Sequence, residues 1–422
     1  MCFFPRDKIN LMGKYRHFSL QVTAVRAGLL LGYLLAFLAG CLSQNNPPEI
    51  TPVLTLEKSP ATLSAEMEAT LIAIHATPTP LPSPTAWTLA SPTPNFDLTP
   101  SPLLSINPFT GLHVSNYERL LRKPILIKLL NWPRSQRPFT GINQADLVFE
   151  FYTGHQTNQL LALFYTSDAE SIGPLGPGRL VDARLTRHYQ ADLVVSTVDT
   201  MIKGVFDNTL PDRVFYQGYT PCPGICTQPV VQGGKTFADT YAIREIGETE
   251  RPRYQPPRFE MLTFSDSLSD WDEDATRFSF LYADFSVMDW RYNPDTGKYQ
   301  LWQEVVDQNG NLQLAPSLDS DGEPVAFENL VFAMANYIEY NSSTYDINLR
   351  EGDPDQQAIL LRDGKMTYGT WFAETDVEPF TFFADGTPYA LKPGKSWITF
   401  STTISRPERT KLGEWDLVFR LR

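Results

Sequence analysis

The sequence predicts an α+β protein in which an α/β first domain with a mixed sheet, residues 106–258, precedes a β-rich second domain, residues 259–422. Three observations carry that expectation. Apolar runs at 125–130, 147–152, 160–165 and 193–198 have the length of buried strands, and a helical pattern over 180–189 interrupts them. From about Phe259 short runs recur at 299–306, 329–334, 358–361, 366–371, 380–383 and 397–401, with the hairpin signals Asp363-Gly364 and Asp385-Gly386 among them. Roughly 315 residues of globular composition exceed what one core usually encloses, which is why two domains are expected.

Ahead of these domains the chain reads as an export signal and a tether. Arg6, Lys8, Lys14, Arg16 and Arg26 stand against a single Asp7, and fourteen uncharged residues follow, Ala27 to Gly40. That run is shorter than the ~20 residues a spanning helix needs, and it ends in small residues before a cysteine. Leu38-Ala39-Gly40-Cys41 resembles the bacterial lipobox, in which the peptide is cut before the cysteine and the thiol is acylated. Residues 1–40 are therefore expected to be a lipoprotein signal peptide, and two or three acyl chains would make the anchor stable. Residues 41–105 carry the acylated Cys41 and a disordered tether. Positions 45–105 hold 12 of the 34 prolines and only two aromatics, Trp87 and Phe96, too few to build a core. A short helical pattern spans Ser59 to His75, and runs such as Thr77-Pro78-Thr79-Pro80 favour extended polyproline II. Leu42, in place of the Asp linked to inner-membrane retention in some bacteria, hints at outer placement.

Charge and cysteines narrow the partners. The leader carries five Lys/Arg against one Asp, so the formal charge of −13 becomes −17 without it. An acidic surface of that size repels phosphate backbones, so nucleic acid is not an expected partner. The expected partners are the membrane, through lipid on Cys41, and an envelope protein or surface polymer. With Cys2 in the leader and Cys41 acylated, Cys222 and Cys226 remain, and an oxidising compartment favours a disulfide between them. A zinc site would want four ligands, and a redox motif would usually have two intervening residues. No metal and no cofactor are expected.

Candidate chemistry is sparse. Gly173-Pro174-Leu175-Gly176-Pro177-Gly178-Arg179 feeds a predicted helix, and its backbone amides at Gly176 and Gly178, with Arg179, could clamp an anion. The alternative is a loop that merely starts the helix, with Asp182 pairing to Arg179 one turn on. Glu150, Asp182, His155 and His188 are the plausible acid–base groups, with Glu150, Asp182 and His188 the catalytic candidates, but none sits in a nucleophile or metal-helix motif. Asp319-Ser320-Asp321-Gly322-Glu323 starts like a calcium loop, yet Gly322 falls at the fourth position and Leu330 at the twelfth, so a solvated turn is expected. Trp271, Trp290, Trp302, Trp371, Trp397 and Trp415 could stack on sugars or fill a sheet core. Asn341-Ser342-Ser343 is formally a glycosylation acceptor, of little meaning in a bacterial lipoprotein.

Several motifs carry a family resemblance. Asn107-Pro108-Phe109-Thr110-Gly111-Leu112, Ala145-Asp146-Leu147-Val148-Phe149-Glu150, Ile172-Gly173-Pro174 and Gly178-Arg179-Leu180-Val181-Asp182 resemble the first domain of the YerB-like lipoproteins, the domain of unknown function numbered 3048. Asp363-Gly364-Lys365, Gly369-Thr370-Trp371 and Leu391-Lys392-Pro393-Gly394-Lys395-Ser396-Trp397-Ile398 resemble its C-terminal companion. The resemblance covers nearly everything after the tether and implies two domains and a lipoprotein, with no established reaction. It also implies two arginines that this chain lacks, at Thr157-Asn158-Gln159 and Gly176-Pro177; if they bind an anion, that site is changed here. The expected function is a non-catalytic binding or scaffold protein anchored on the extracytoplasmic face of a bacterial membrane. The alternative is a hydrolase of cell-wall or surface glycan that uses first-domain carboxylates.

Overall fold

A computed structural model describes residues 105–229, 234–250, 256–268 and 272–421. The signal peptide, Cys41, the tether and Trp271 lie outside the described residues. Strands and helices follow in chain order. Ile125–Leu130 (β1), Leu147–Gly154 (β2), Thr157–Phe164 (β3), Leu180–His188 (α1), Asp192–Val195 (β4), Thr200–Thr209 (α2) and Val214–Tyr216 (β5) come first. Ile225–Thr227 (β6), Thr236–Ala238 (β7), Thr240–Glu250 (α3), Glu273–Asp274 (β8), Arg277–Ala283 (β9), Ser286–Asn293 (β10), Lys298–Val306 (β11), Leu312–Pro316 (β12) and Ala326–Phe327 (β13) follow. Asn329–Asn341 (β14), Thr344–Asn348 (β15), Gln356–Arg362 (β16), Lys365–Phe372 (β17), Thr381–Ala384 (β18), Thr387–Pro388 (β19), Ser396–Thr402 (β20), Pro407–Lys411 (β21) and Glu414–Val418 (β22) complete the set.

One 13-stranded sheet runs β19-β18-β17-β16-β14-β20-β2-β3-β1-β4-β5, with β15 beside β14 and β8 beside β17. Strands from before and after residue 258 meet in it where β2 pairs with β20 in parallel, Val148 opposite Trp397 and Glu150 opposite Thr399. A 7-stranded sheet, β12-β11-β10-β9-β22-β21 with β13 on β11, packs on one face. Ile127, Val148, Leu160, Phe332 and Trp397 of the large sheet share a core there with Phe278, Phe280, Trp290 and Leu417 of the second. The opposite face, with Leu126, Phe149, Leu161, Val331 and Phe400, is covered by Val181, Leu185 and Phe206 of α1 and α2. Burial on both faces explains why β1, β2 and β3 read as continuous apolar runs without alternation.

This architecture corrects the expected α/β first domain and the α+β class. Among the described residues there are three α-helices and 22 strands, so the chain is mostly β. The physical reason lies in the connections. A two-residue turn joins β2 to β3, with His155 at φ 52 and Gln156 at φ 58, so the strands run antiparallel and need no crossover helix. Between β1 and β2 stand only short 3-10 turns at Arg134–Gln136 and Ile142–Gln144. The apolar runs were those of strands, and the helical pattern at 180–189 became α1, but β9 and β10 escaped notice because their polar residues interrupt the apolar pattern.

The two Asp-Gly signals do form left-handed turns, Asp363 at φ 51 with Gly364 at φ 73 and Asp385 at φ 48 with Gly386 at φ 74. Their surroundings differ. A Cβ on Gly364 would meet the Tyr292 ring at 2.8 Å, whereas nothing lies within 4 Å of one on Gly386. Gly386→Ala is therefore expected to cost about 1–2 kcal/mol, the backbone term alone, and Gly364→Ala distinctly more. Chemical denaturation of the two variants beside the parent checks the order; equal losses would mean that the Tyr292 ring yields freely.

Candidate binding cleft

The residues expected to do chemistry are not brought together. Glu150 lies on the face of β2 turned to the second sheet, wholly buried, and accepts hydrogen bonds from Asn158 Nδ2 at 2.5 Å, Trp397 Nε1 at 2.8 Å and Thr399 Oγ1 at 2.9 Å. Burial pushes its carboxyl up, against those bonds. Asp182 and His188 sit on α1, on the other side of the sheet. Asp182 is wholly buried and pairs with Lys128 Nζ at 2.9 Å. Desolvation pushes the Lys128 ammonium down to about 8 and the Asp182 carboxyl up, while their mutual attraction opposes both. His188 is buried with Nδ1 at 2.7 Å from the Glu378 carbonyl and Nε2 at 3.4 Å from Glu351. His155 is exposed in the β2–β3 turn.

The glycine loop has no amide to spare. Gly173 donates to Thr140, Leu175 to Thr236, Gly176 to Lys128 and Gly178 to Thr197, all backbone carbonyls at 2.7–3.0 Å. Pro174 and Pro177 have no N–H. The Arg179 amide donates to Asp182 Oδ2 at 2.6 Å, so the anion at this helix start is the chain's own carboxylate. The Arg179 guanidinium reaches Gln159 Oε1 and the Ser343 carbonyl, each at 3.4 Å.

The remaining sequence candidates are structural. Cys222 and Cys226 form a disulfide with Cα atoms 4.9 Å apart. Asp319 is buried and accepts from the amides of Gly141 at 2.8 Å and Asn143 at 2.9 Å, while Asp321 stays exposed and caps Glu323. Trp290, Trp371, Trp397 and Trp415 are buried, and the Arg291 guanidinium covers the Trp302 ring at 3.9 Å.

A cleft of ≈ 410 Å³ collects residues that sequence reasoning quoted but never weighed as a site: Asn107, Thr110, Asp146 and Lys395, with Arg119 and Tyr241. Asn107, Thr110 and Asp146 come from the first segment; Lys395 precedes β20. Each is placed by local bonding. Asn107 holds its own turn through the Phe109 amide at 2.9 Å and donates to Asp146 Oδ1 at 3.0 Å. The Gly394 amide donates to the Thr110 carbonyl at 2.8 Å, which ties the 391–395 loop to that turn. Asp146 also accepts from the amides of Tyr165 at 2.6 Å and Thr166 at 3.1 Å and from Ser167 Oγ at 3.0 Å. It thereby caps the end of β3, and burial raises its carboxyl against these bonds. Lys395 donates through Nζ to the Asn143 carbonyl, and burial lowers its ammonium.

Asp168 closes one end. Arg122 Nη1 lies 2.8 Å from it, Arg244 Nε 3.0 Å and Arg119 Nη2 4.0 Å. Arg122 and Arg244 also bind carbonyls of 164–167, and Arg244 is held down to about 10 chiefly by its burial. A neighbouring cavity of ≈ 490 Å³ is lined by Arg122 and Arg244, and an apolar one of ≈ 690 Å³ by Arg134, Arg137 and the β11–β12 pair. Neither Glu150, Asp182 nor His188 lines any of the three. Among the described residues no group of three His, Cys, Asp or Glu side chains could hold a metal.

Taken together these features define a two-sheet, mostly β protein with a polar cleft that does not gather Glu150, Asp182 and His188. The model of the protein of unknown function (DUF3048) N-terminal domain matches residues 109–216, and that of its C-terminal domain matches residues 278–398. The chain belongs to the DUF3048 family. Its fold is similar to the crystal structure of YerB protein from Bacillus subtilis, with a TM-score of 0.57 and 18% identity over 70% of this chain and 96% of that one. No curated protein matches.

The Lys128–Asp182 and His188–Glu351 pairs each give a prediction. Lys128→Met leaves Asp182 charged in the core and is expected to cost about 3–5 kcal/mol, with the Lys128→Met/Asp182→Asn pair costing much less than the sum. A double-mutant cycle in urea checks the coupling, and additive losses would refute it. The Glu351 carboxyl, held by His188, lies at about 2 against an ordinary 4.5. A depressed folded value contributes stability that is present above the ordinary one and lost as pH falls through about 2. Buried Glu150 and Asp182 shift the opposite way, so only a difference is diagnostic. Glu351→Gln is expected to flatten the loss of stability between about pH 5 and pH 2, read from urea midpoints at stepped pH.

Proposed function

We propose that this chain is a lipid-anchored extracytoplasmic envelope protein that binds a partner protein or surface polymer without catalysing a reaction. The observation that carries this reading is the fate of Glu150, Asp182 and His188. Each is buried and engaged, and the large sheet separates the first from the other two. A glycosidase needs two carboxylates roughly 5–10 Å apart across an open site, and these side chains supply none. The lipobox at Cys41 and the Pro/Thr-rich tether support the anchored placement. Among the described residues no helix is long and apolar enough to cross a membrane. The cleft around Asn107, Asp146 and Lys395 supplies a place for a ligand.

Two measurements test this. Cys41→Ser chain is expected to stay unprocessed before position 41 and to carry no acyl mass, read by mass measurement; processed chain retained in the membrane like the parent would defeat the anchor. Incubation of the full chain with isolated wall and surface glycan is expected to give retention without soluble products. Release of glycan fragments that grows with time would overturn the non-catalytic reading.

A further inference from the structure

The cleft differs in charge from the chain around it. The protein has a formal charge of −13, whereas the cleft's lining sets two cations, Arg119 and Lys395, against two carboxylates, Asp146 and Asp168, with Arg122 and Arg244 further cations on Asp168. The nearby carboxylates are spent internally. Asp146 holds donors from Asn107, Tyr165, Thr166 and Ser167, Asp168 holds Arg122 and Arg244, and Glu328 behind Lys395 is paired with Lys298 at 3.0 Å. What remains open is donor-rich. The Arg119 side chain is 39% exposed and spends one guanidinium N–H on the Thr166 carbonyl at 2.9 Å, and Lys395 directs one of its three N–H groups to the Asn143 carbonyl. Hydroxyls of Thr110 and Ser115 and the amide of Gln144 line the same space, and Tyr241, 52% exposed, offers a ring at the rim.

We propose that this cleft binds an anionic, hydroxyl-rich ligand, a sugar or polyol unit carrying carboxylate or phosphate groups. Arg119 and Lys395 meet the charge, the hydroxyls and amide meet the ligand's hydroxyls, and the Tyr241 ring covers its apolar face. A partly desolvated cation gains most from such an ion because water screens it least. The surrounding acidity excludes polyanions from other surfaces and concentrates them here. The inference rests on the binding reading above and names the chemical class that it leaves open.

The test uses the full lipidated chain in neutral detergent, titrated calorimetrically with a poly(glycerol phosphate), a polyuronic acid and neutral dextran. Saturable binding of either acidic polymer and none of dextran is expected, and whichever polymer binds identifies phosphate or carboxylate as the charge. Arg119→Gln is expected to weaken binding about tenfold, the loss of one charge-assisted hydrogen bond, while Lys203→Gln, a surface cation paired with Asp207, leaves it unchanged. Lys395→Gln should act like Arg119→Gln, and Arg119, being half exposed, keeps the test open should Lys395→Gln fail to fold. Equal weakening by Lys203→Gln, or no binding of either acidic polymer, overturns the proposal. Dextran binding that Tyr241→Ala abolishes would overturn the anionic class and leave the binding reading intact, whereas time-dependent cleavage of any polymer would sink the binding reading itself.

Discussion

The parallel pairing of β2 with β20 is the constraint on which the rest of the structure depends. It joins Leu147–Glu150 to Ser396–Thr399 across almost the whole length of the described chain. A parallel pair needs a long connection, and here nearly the entire second half of the protein is that connection. The register is fixed chemically by Glu150. Its carboxylate binds Trp397 and Thr399 on β20 and Asn158 on β3, so a slip of one residue would turn it to the other face and strand a buried charge. A wholly buried carboxylate is expensive to form, and three donors from two neighbouring strands offset that cost only in one arrangement.

The cleft inherits its shape from that pairing. Lys395 immediately precedes β20 and Asp146 immediately precedes β2, so the two parallel strands begin at the same edge of the sheet and bring these residues to the same cleft. Asn107 and Thr110 join them through the turn that opens the folded region. Arg122 and Arg244 then fasten the end of β3 by its carbonyls and Asp168. The cleft floor is thus built from strand ends and buried bonding, while Arg119 and Tyr241 keep part of their side chains outward, Arg119 with one N–H on the Thr166 carbonyl.

Much of the fold was legible in the sequence, and the failures have physical causes. Apolar runs at 125–130 and 147–152 announced strands, and the Asp-Gly pairs announced turns, because both signals are local. What failed was the inference from one helical segment to an α/β layer order. Pairing partners such as β2 and β20 are set by contacts hundreds of residues apart, which periodicity does not encode. The candidate site shows the same division. Lys128, alone in an otherwise apolar strand, is a visible sign of a buried partner. Glu150 and Asp182 stand out in the sequence for their charge, but their burial is a property of packing. Asn107, Asp146 and Lys395 were noticed as parts of motifs, and only the fold brings those motifs to one place.

The departures from the family pattern fall together in space as well. The segment Thr157–Gln159 starts β3, and Gly176-Pro177 lies in the loop that enters α1; both adjoin Arg179 and the Lys128–Asp182 pair. Where the resemblance implies two further arginines, this chain places Asn158 on Glu150 and Gln159 on Arg179, and the Gly176 amide on the Lys128 carbonyl. Adding guanidinium groups there would crowd a buried lysine that already has a single carboxylate to balance it. Asp182 meets both the helix start and Lys128, and the loop amides from Gly173 to Arg179 are all spent within the chain. The loop at Arg179 thus serves to hold α1 against the sheet, and the cleft beside Arg119 is a separate feature at the start of β2 and β20.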